Sequence, residues 1–191
     1  LPNVSIPFVD VDNVGGARLA TEHLIRLGHK RIALITNAPL DYTASSDRLA
    51  GYKQALEAAQ VSFDESLVRY GLFTPQSGQT AMEELLDLTP RPTAVFIASD
   101  TVALGALQTI RRRGLSVPDD IALVGFDDIP LAEFVDPPLT TIRLPAYGLG
   151  WGAAELLIRL IAGDEPIRNP NVILETELVI RESCGATRVN S

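Results

Sequence analysis

Between residues 6 and 127 the apolar residues of this chain change period repeatedly, and that alternation restricts the fold more than any other feature. The short runs "IPFVDV" (6–11), "RIALI" (31–35), "SLVRYG" (66–71), "TAVFIA" (93–98) and "DIALVGFD" (120–127) read as strands. Between them apolar residues recur at intervals of three and four. Leu19, Ala20, Leu24 and Leu27 share a helical face that Gly28 ends, and Leu49, Tyr52, Leu56 and Ala59 form a second. Thr74-Pro75 opens a third helix, with Thr as cap and Pro at the first position, and "DTVALGALQTIRRRG" (100–114) is a fourth. Strand and helix in strict alternation imply an α/β fold: a parallel sheet, right-handed crossovers and helices on both faces. Beyond "DPPLTTIRLP" (136–145) the pattern changes to one helix over 147–162, a last strand over 172–183 and a polar tail over 184–191.

The same pattern locates the chemistry, because an open parallel sheet binds ligands beyond the carboxyl ends of its strands. Those ends are Thr36-Asn37, Gly71 to Phe73, Ser99-Asp100 and Asp127-Asp128. The loop after "RIALI" adds Tyr42, and the following helix adds Arg48 in its first turn. Carboxylates, a guanidinium, a hydroxyl and aromatic faces suit a neutral polyhydroxy ligand, whose hydroxyls both donate and accept. Each residue also has a structural reading. Asp128 is a candidate N-cap for "IPLAEF" and Asp100 for "TVALGAL", which leaves Ser99 facing the cleft. Arg48 also reads as a solvated helix residue, Phe73 as loop packing and Tyr42 as a loop tip. Asp127 is hardest to explain this way, since it directly ends a buried run and a buried carboxylate must be met by something.

Other chemistries fail on residue types. The net charge of −8 argues against gripping a phosphate backbone. His23 and His29 read as surface residues flanking a helix end, and with the single Cys184 they make no metal quartet and no disulfide. There is no G-x-S-x-G elbow, Walker loop or strand-borne G-x-G-x-x-G. A phosphoacceptor built on Asp127 and Asp128 resembles a class that needs a lysine at a later strand end, and the lysines are Lys30 and Lys53. No apolar run approaches a membrane span. The opening "LPNVSIPFVDVDN" reads as an internal cut in a longer protein.

The stretches "GGARLATEHLIRLGHKRIALI", "DRLAGYKQAL", "RPTAVFIASDTVALGAL", "GLSVPDDIALVGFDDIPLAEFVDPPLTTIR" and "LETELVIRES" occur in this order over nearly the whole chain. In them the sequence resembles the LacI-type (LacI/GalR) bacterial transcriptional repressors. The resemblance implies a cytoplasmic, non-enzymatic sensing core with a periplasmic-binding-protein-like (type I) lobe and no cofactor. Its partners would be a small-molecule effector, a second copy in a homodimer, and operator DNA through a headpiece not in this sequence. Residues 13–142 plus 172–183 would form the C-terminal lobe, 1–12 and 143–171 remnants and crossovers of the N-terminal lobe, and 184–191 a tail. By position, Arg48 resembles the family's cleft arginine, Asp127 the carboxylate that anchors the effector, and Phe73 its stacking aromatic. Ser99 stands where sugar-sensing members commonly have Asn, and Tyr42 and Ala44 fall in the loop that tunes specificity. Dimer contacts would come from the helix holding Leu104 and the segment with Phe134 and Val135. Trp151, Leu156 and Leu160 of the 147–162 helix would pack on a neighbouring chain, or residues 1–11 and 144–170 would be rearranged. An extracytoplasmic sugar-binding protein of an uptake system shares the fold and is the alternative reading.

Overall fold

The computed structural model describes residues 7–163 and 171–186. The strand β1 (Phe8–Val11) leads into α1 (Asn13–Arg26), followed by β2 (Ile32–Ile35), α2 (Thr43–Ala58), β3 (Val68–Arg69), α3 (Pro75–Leu86), β4 (Ala94–Ile97), α4 (Asp100–Arg112) and β5 (Ala122–Asp127). The chain ends with β6 (Thr141–Arg143), α5 (Ala146–Ala162), β7 (Asn171–Leu174) and β8 (Glu177–Val179). Local chemistry sets the helix limits. Asp12 caps α1 by accepting the Gly15 N–H at 2.7 Å, Thr74 caps α3 through Ser77 N–H with Pro75 in the first turn, and Gly28 at φ +95° ends α1.

Six strands form one sheet in the order β3-β2-β4-β5-β6-β8, and β1 pairs with β7 in a separate parallel ribbon. Side chains alternate across the large sheet, and both faces are dry. Ile32, Leu34, Phe96, Val124 and Phe126 pack under α1 and α2, while Ala33, Ile35, Val95, Ile97 and Leu123 pack under α3 and α4. Every residue of β2 and β4 is buried, which is why their sequences are uninterrupted apolar runs.

Several expectations need correction. The sheet is mixed, because β8 runs antiparallel to β6. The single strand over 172–183 is two strands: Asn171–Leu174 joins β1 in the ribbon and Glu177–Val179 joins the large sheet, with the break at Glu175-Thr176. Of "SLVRYG" only Val68–Arg69 is strand, preceded by a 3-10 turn at Glu65–Leu67. Cys184 is not in a polar tail but in the core, where its Sγ lies 3.2 Å from His23 Nε2, and His23 is buried rather than on the surface. Residues 187–191 of that tail lie outside the described residues, as do 1–6 and 164–170 of the stretches assigned to the other lobe.

Helix α5 rests on the ribbon along its Gly148 and Gly152 edge, against Leu174 and Val9. None of its residues is buried, and Trp151, Ile158 and Ile161 are exposed. Among the described residues nothing covers its outer face.

Candidate functional site

The carboxyl ends of β2, β4 and β5 open on a cavity of about 340 Å³. Its walls include all five residues singled out from the sequence: Tyr42, Arg48, Phe73, Ser99 and Asp127. Arg48 lies in the second turn of α2 rather than the first, since that helix starts at Thr43. It is 6% exposed, so the reading of it as a solvated helix residue fails. Its Nε donates to Asn13 Oδ1 at 2.9 Å and its Nη1 to the Ala98 carbonyl at 2.7 Å, and the guanidinium stacks 3.7 Å from the centroid of Phe126. These contacts tie α1, α2, β4 and β5 together beneath the cavity.

Asp127 is held across from this arginine. Its Oδ1 lies 3.9 Å from Arg48 Nη1, Ser99 Oγ donates to its Oδ2 at 3.1 Å, and the Asp100 N–H also donates to the carboxylate. Ser99 occupies the cap position of α4 without capping it with its own side chain, so Asp127 serves that helix end. Burial pushes the Asp127 carboxyl above its usual range, and the Arg48 charge and these hydrogen bonds oppose that shift. Burial likewise lowers Arg48, against the attraction of Asp127, Asp10, Asp100 and Asp47. A desolvated ion pair this loose has room for ligand hydroxyls to complete its coordination.

The outer wall is aromatic. Tyr42 and Phe73 meet edge to face, with centroids 5.3 Å apart and planes at 80°. Phe73 adopts φ +56°, a left-handed conformation uncommon for an aromatic residue, and its N–H is tied to the Asn37 carbonyl at 2.8 Å. Both rings remain about half exposed, at 53% and 48%, so neither is consumed by packing. Asn37, Thr43 and Ala44 complete the lining. Asn37 accepts Ser45 Oγ at 3.0 Å.

The second carboxylate of the pair turns the other way. Asp128 does not cap a helix as expected. Its two oxygens accept Arg143 Nε and Arg181 Nη2, both at 2.7 Å. Asp100, the other expected cap, is the first residue of its helix, and its buried side chain reaches across to Thr141 and to the Ile129 N–H. Sequence reading missed Asn13 as a partner of Arg48. Its only signal was position, immediately after β1 at the start of a helix. Of the residues expected at a dimer contact, Phe134 is 74% exposed, Leu104 is half-buried, and Val135 packs partly against the core of its own chain. Among the described residues no cluster of His, Cys, Asp or Glu is placed to hold a metal.

Residues 21–184 match the periplasmic binding protein-like domain. The chain is 47% identical over 185 residues to the HTH-type transcriptional regulator CelR of Thermobifida fusca, an alignment covering 96% of this chain and 53% of that protein. It is 42% identical over 187 residues to the HTH-type transcriptional repressor CytR of Escherichia coli K12, covering 98% and 53%. Among solved structures, the complex of the transcriptional regulator CelR with cellobiose superposes with a TM-score of 0.90 at 46% identity, covering 96% of this chain and 55% of the other. A LacI-family regulatory protein from Chloroflexus aggregans superposes at 0.87 with 38% identity, covering 97% and 66%. The chain spans about half the length of the curated relatives it matches.

Proposed function

Since this chain belongs to the periplasmic binding protein-like family, among the LacI-type regulators, we propose that it is the effector-sensing core of a DNA-binding transcriptional regulator and that its effector is a small neutral sugar. The observation that carries this reading is the convergence of Arg48, Ser99, Asp127, Tyr42 and Phe73, from separate segments of the chain, on one cavity at the strand ends. The ion pair supplies an acceptor and a donor for vicinal hydroxyls, and the aromatic pair supplies a face for the apolar side of a pyranose. The regulator in the cellobiose complex is among the nearest in fold, so cellobiose is the sugar to test first. Operator contact is assigned to the part of the regulator outside this chain, consistent with the acidic balance of −8. The protein acts in the cytoplasm, where its operator is. A homodimer through Leu104, Phe134 and Val135 is part of the same proposal, supported by the exposure of Phe134 and Leu131.

The test is calorimetric titration of the full-length protein with cellobiose, paired with operator gel shifts. Asp127→Asn is the informative variant, because it alters a cavity-facing group and leaves the Arg48 bonds to Asn13 and Ala98 in place. Sugar binding is expected to weaken while operator binding without sugar persists. Unchanged sugar affinity in Asp127→Asn refutes the assignment.

A further inference from the structure

Asp100 is fully buried at the start of α4, and among the described residues no arginine or lysine forms an ion pair with it. Its Oδ1 accepts Thr141 Oγ1 at 2.7 Å and its Oδ2 accepts the Ile129 N–H at 3.1 Å, with the Asp128 N–H also donating to the carboxylate. In return the Asp100 N–H donates to Asp127. Residue 100 and residues 127–129 therefore clamp one another. The clamped backbone is unusual: Asp127 has φ +124° and Asp128 φ +55°, two consecutive non-glycine residues in a region L side chains rarely adopt. That twist sends Asp127 toward Arg48 and Asp128 toward Arg143 and Arg181. Gly125 makes the room, since a Cβ there would collide with Asp100 Oδ1.

We propose that Asp100 is a positioning residue for effector binding, which holds the 127–129 turn so that Asp127 presents its carboxylate to the ligand. The inference rests on the reading of Asp127 as an effector contact. A carboxylate at position 100 is costly. Burial pushes its carboxyl up to about 7, and the neighbouring Asp127 adds to that, against the hydrogen bonds from Thr141, Ile129 and Asp128. Asparagine has the same shape and would avoid both penalties. What asparagine lacks is a second acceptor: with its oxygen on the Ile129 N–H, its amide N–H groups meet Thr141 Oγ1, and the Thr141 hydroxyl can no longer donate to residue 100. A carboxylate accepts on both oxygens at once, from Thr141 on one side and from the turn on the other, and that is what fixes the turn.

The experiment is a double-mutant cycle on cellobiose affinity, measured by calorimetry on the full-length protein at about pH 8, where Asp100 is ionised. Asp100→Asn is expected to weaken binding about tenfold, and Asp100→Asn combined with Asp127→Asn to bind no more weakly than Asp127→Asn alone, to within about twofold. A residue that only supports folding would lower the thermal midpoint and leave the affinity of the folded protein unchanged. Wild-type affinity in Asp100→Asn, or losses that add in full in the double variant, overturn the proposal while leaving the role of Asp127 intact. Wild-type affinity in Asp127→Asn, or no cellobiose binding by the unaltered protein, overturns the underlying site reading and this proposal with it. If Asp100→Asn does not fold, Thr141→Val takes its place in the cycle, since it removes one donor to the same carboxylate, and the same absence of additivity is expected.

Discussion

Replacing Asp128 by asparagine isolates the charge that joins the cavity to the chain crossovers. The Asp128 side chain is 7% exposed and forks to two arginines, Arg181 with 16% of its side chain exposed and Arg143 with 48%. Arg143 ends β6 just before α5, and Arg181 follows β8, so the fork fastens two neighbouring segments to the end of β5. A hydrogen bond to a charged group contributes about 1.5–3 kcal/mol when sheltered, so removing the charge and one of the two acceptors from this fork costs about 2 kcal/mol. The Arg143 contact faces solvent and adds little. Asparagine tolerates the left-handed backbone at φ +55°, so no conformational penalty is added. Alanine does not, and Asp128→Ala loses about 1 kcal/mol more. In a chain of 191 residues, about 2 kcal/mol corresponds to a fall of roughly 4–8 °C in thermal midpoint. Scanning calorimetry of the 191-residue chain provides the measurement. Its pH dependence supplies a second check. Burial alone would raise the Asp128 carboxyl, but the hydrogen bonds and charges of Arg181 and Arg143 outweigh burial and hold it below its usual range. A carboxylate depressed in the fold contributes stability above its unfolded value near pH 4 and loses it as the pH falls through the folded value. The gap between wild type and Asp128→Asn should therefore close in acid. A midpoint change under about 1 °C at neutral pH, or a gap unaltered at about pH 3, refutes the reasoning.

Two further outcomes follow from the same structure. Phe73→Gly relieves the φ of +56° while removing a half-exposed ring, so the thermal midpoint should stay within about 2 °C while cellobiose affinity drops about fivefold. A large loss of stability would instead make Phe73 a packing residue. His23 is held below its usual value by burial, then by Arg26, so it is neutral in the fold. As the pH falls below about 6.5 the unfolded chain takes up a proton that the folded chain resists, and stability declines. His23→Gln should show a shallower decline in thermal midpoint between about pH 7 and pH 5, and equal slopes would count against a buried neutral imidazole.

The fold was legible wherever burial repeats along the chain. A strand such as Ile32–Ile35, covered on both faces, needs apolar side chains throughout, and a helix on a sheet needs them every third or fourth residue. The cavity was legible for a related reason. Polar residues that end an apolar run, such as Ser99 and Asp127, stand at strand ends, and a parallel sheet gathers those ends on one edge. The division of 172–183 was hidden, because the runs on either side of Glu175-Thr176 look alike whichever sheet each one joins.

Periodicity records only whether a residue faces apolar surroundings, and that is a local property which the amino-acid order states directly. Which polar group meets which was decided by the folded arrangement. Asp128 finds Arg181 53 residues away, and His23 finds Cys184 161 residues away. Such pairs carry no spacing rule, since their distance depends on how far the intervening helices and crossovers carry the chain before it returns. Sequence alone therefore placed Asp127 at the edge of the sheet. Only the tertiary structure turned it toward Arg48 and its neighbour Asp128 the opposite way, because the turn that holds them is tied to a buried carboxylate at the start of α4.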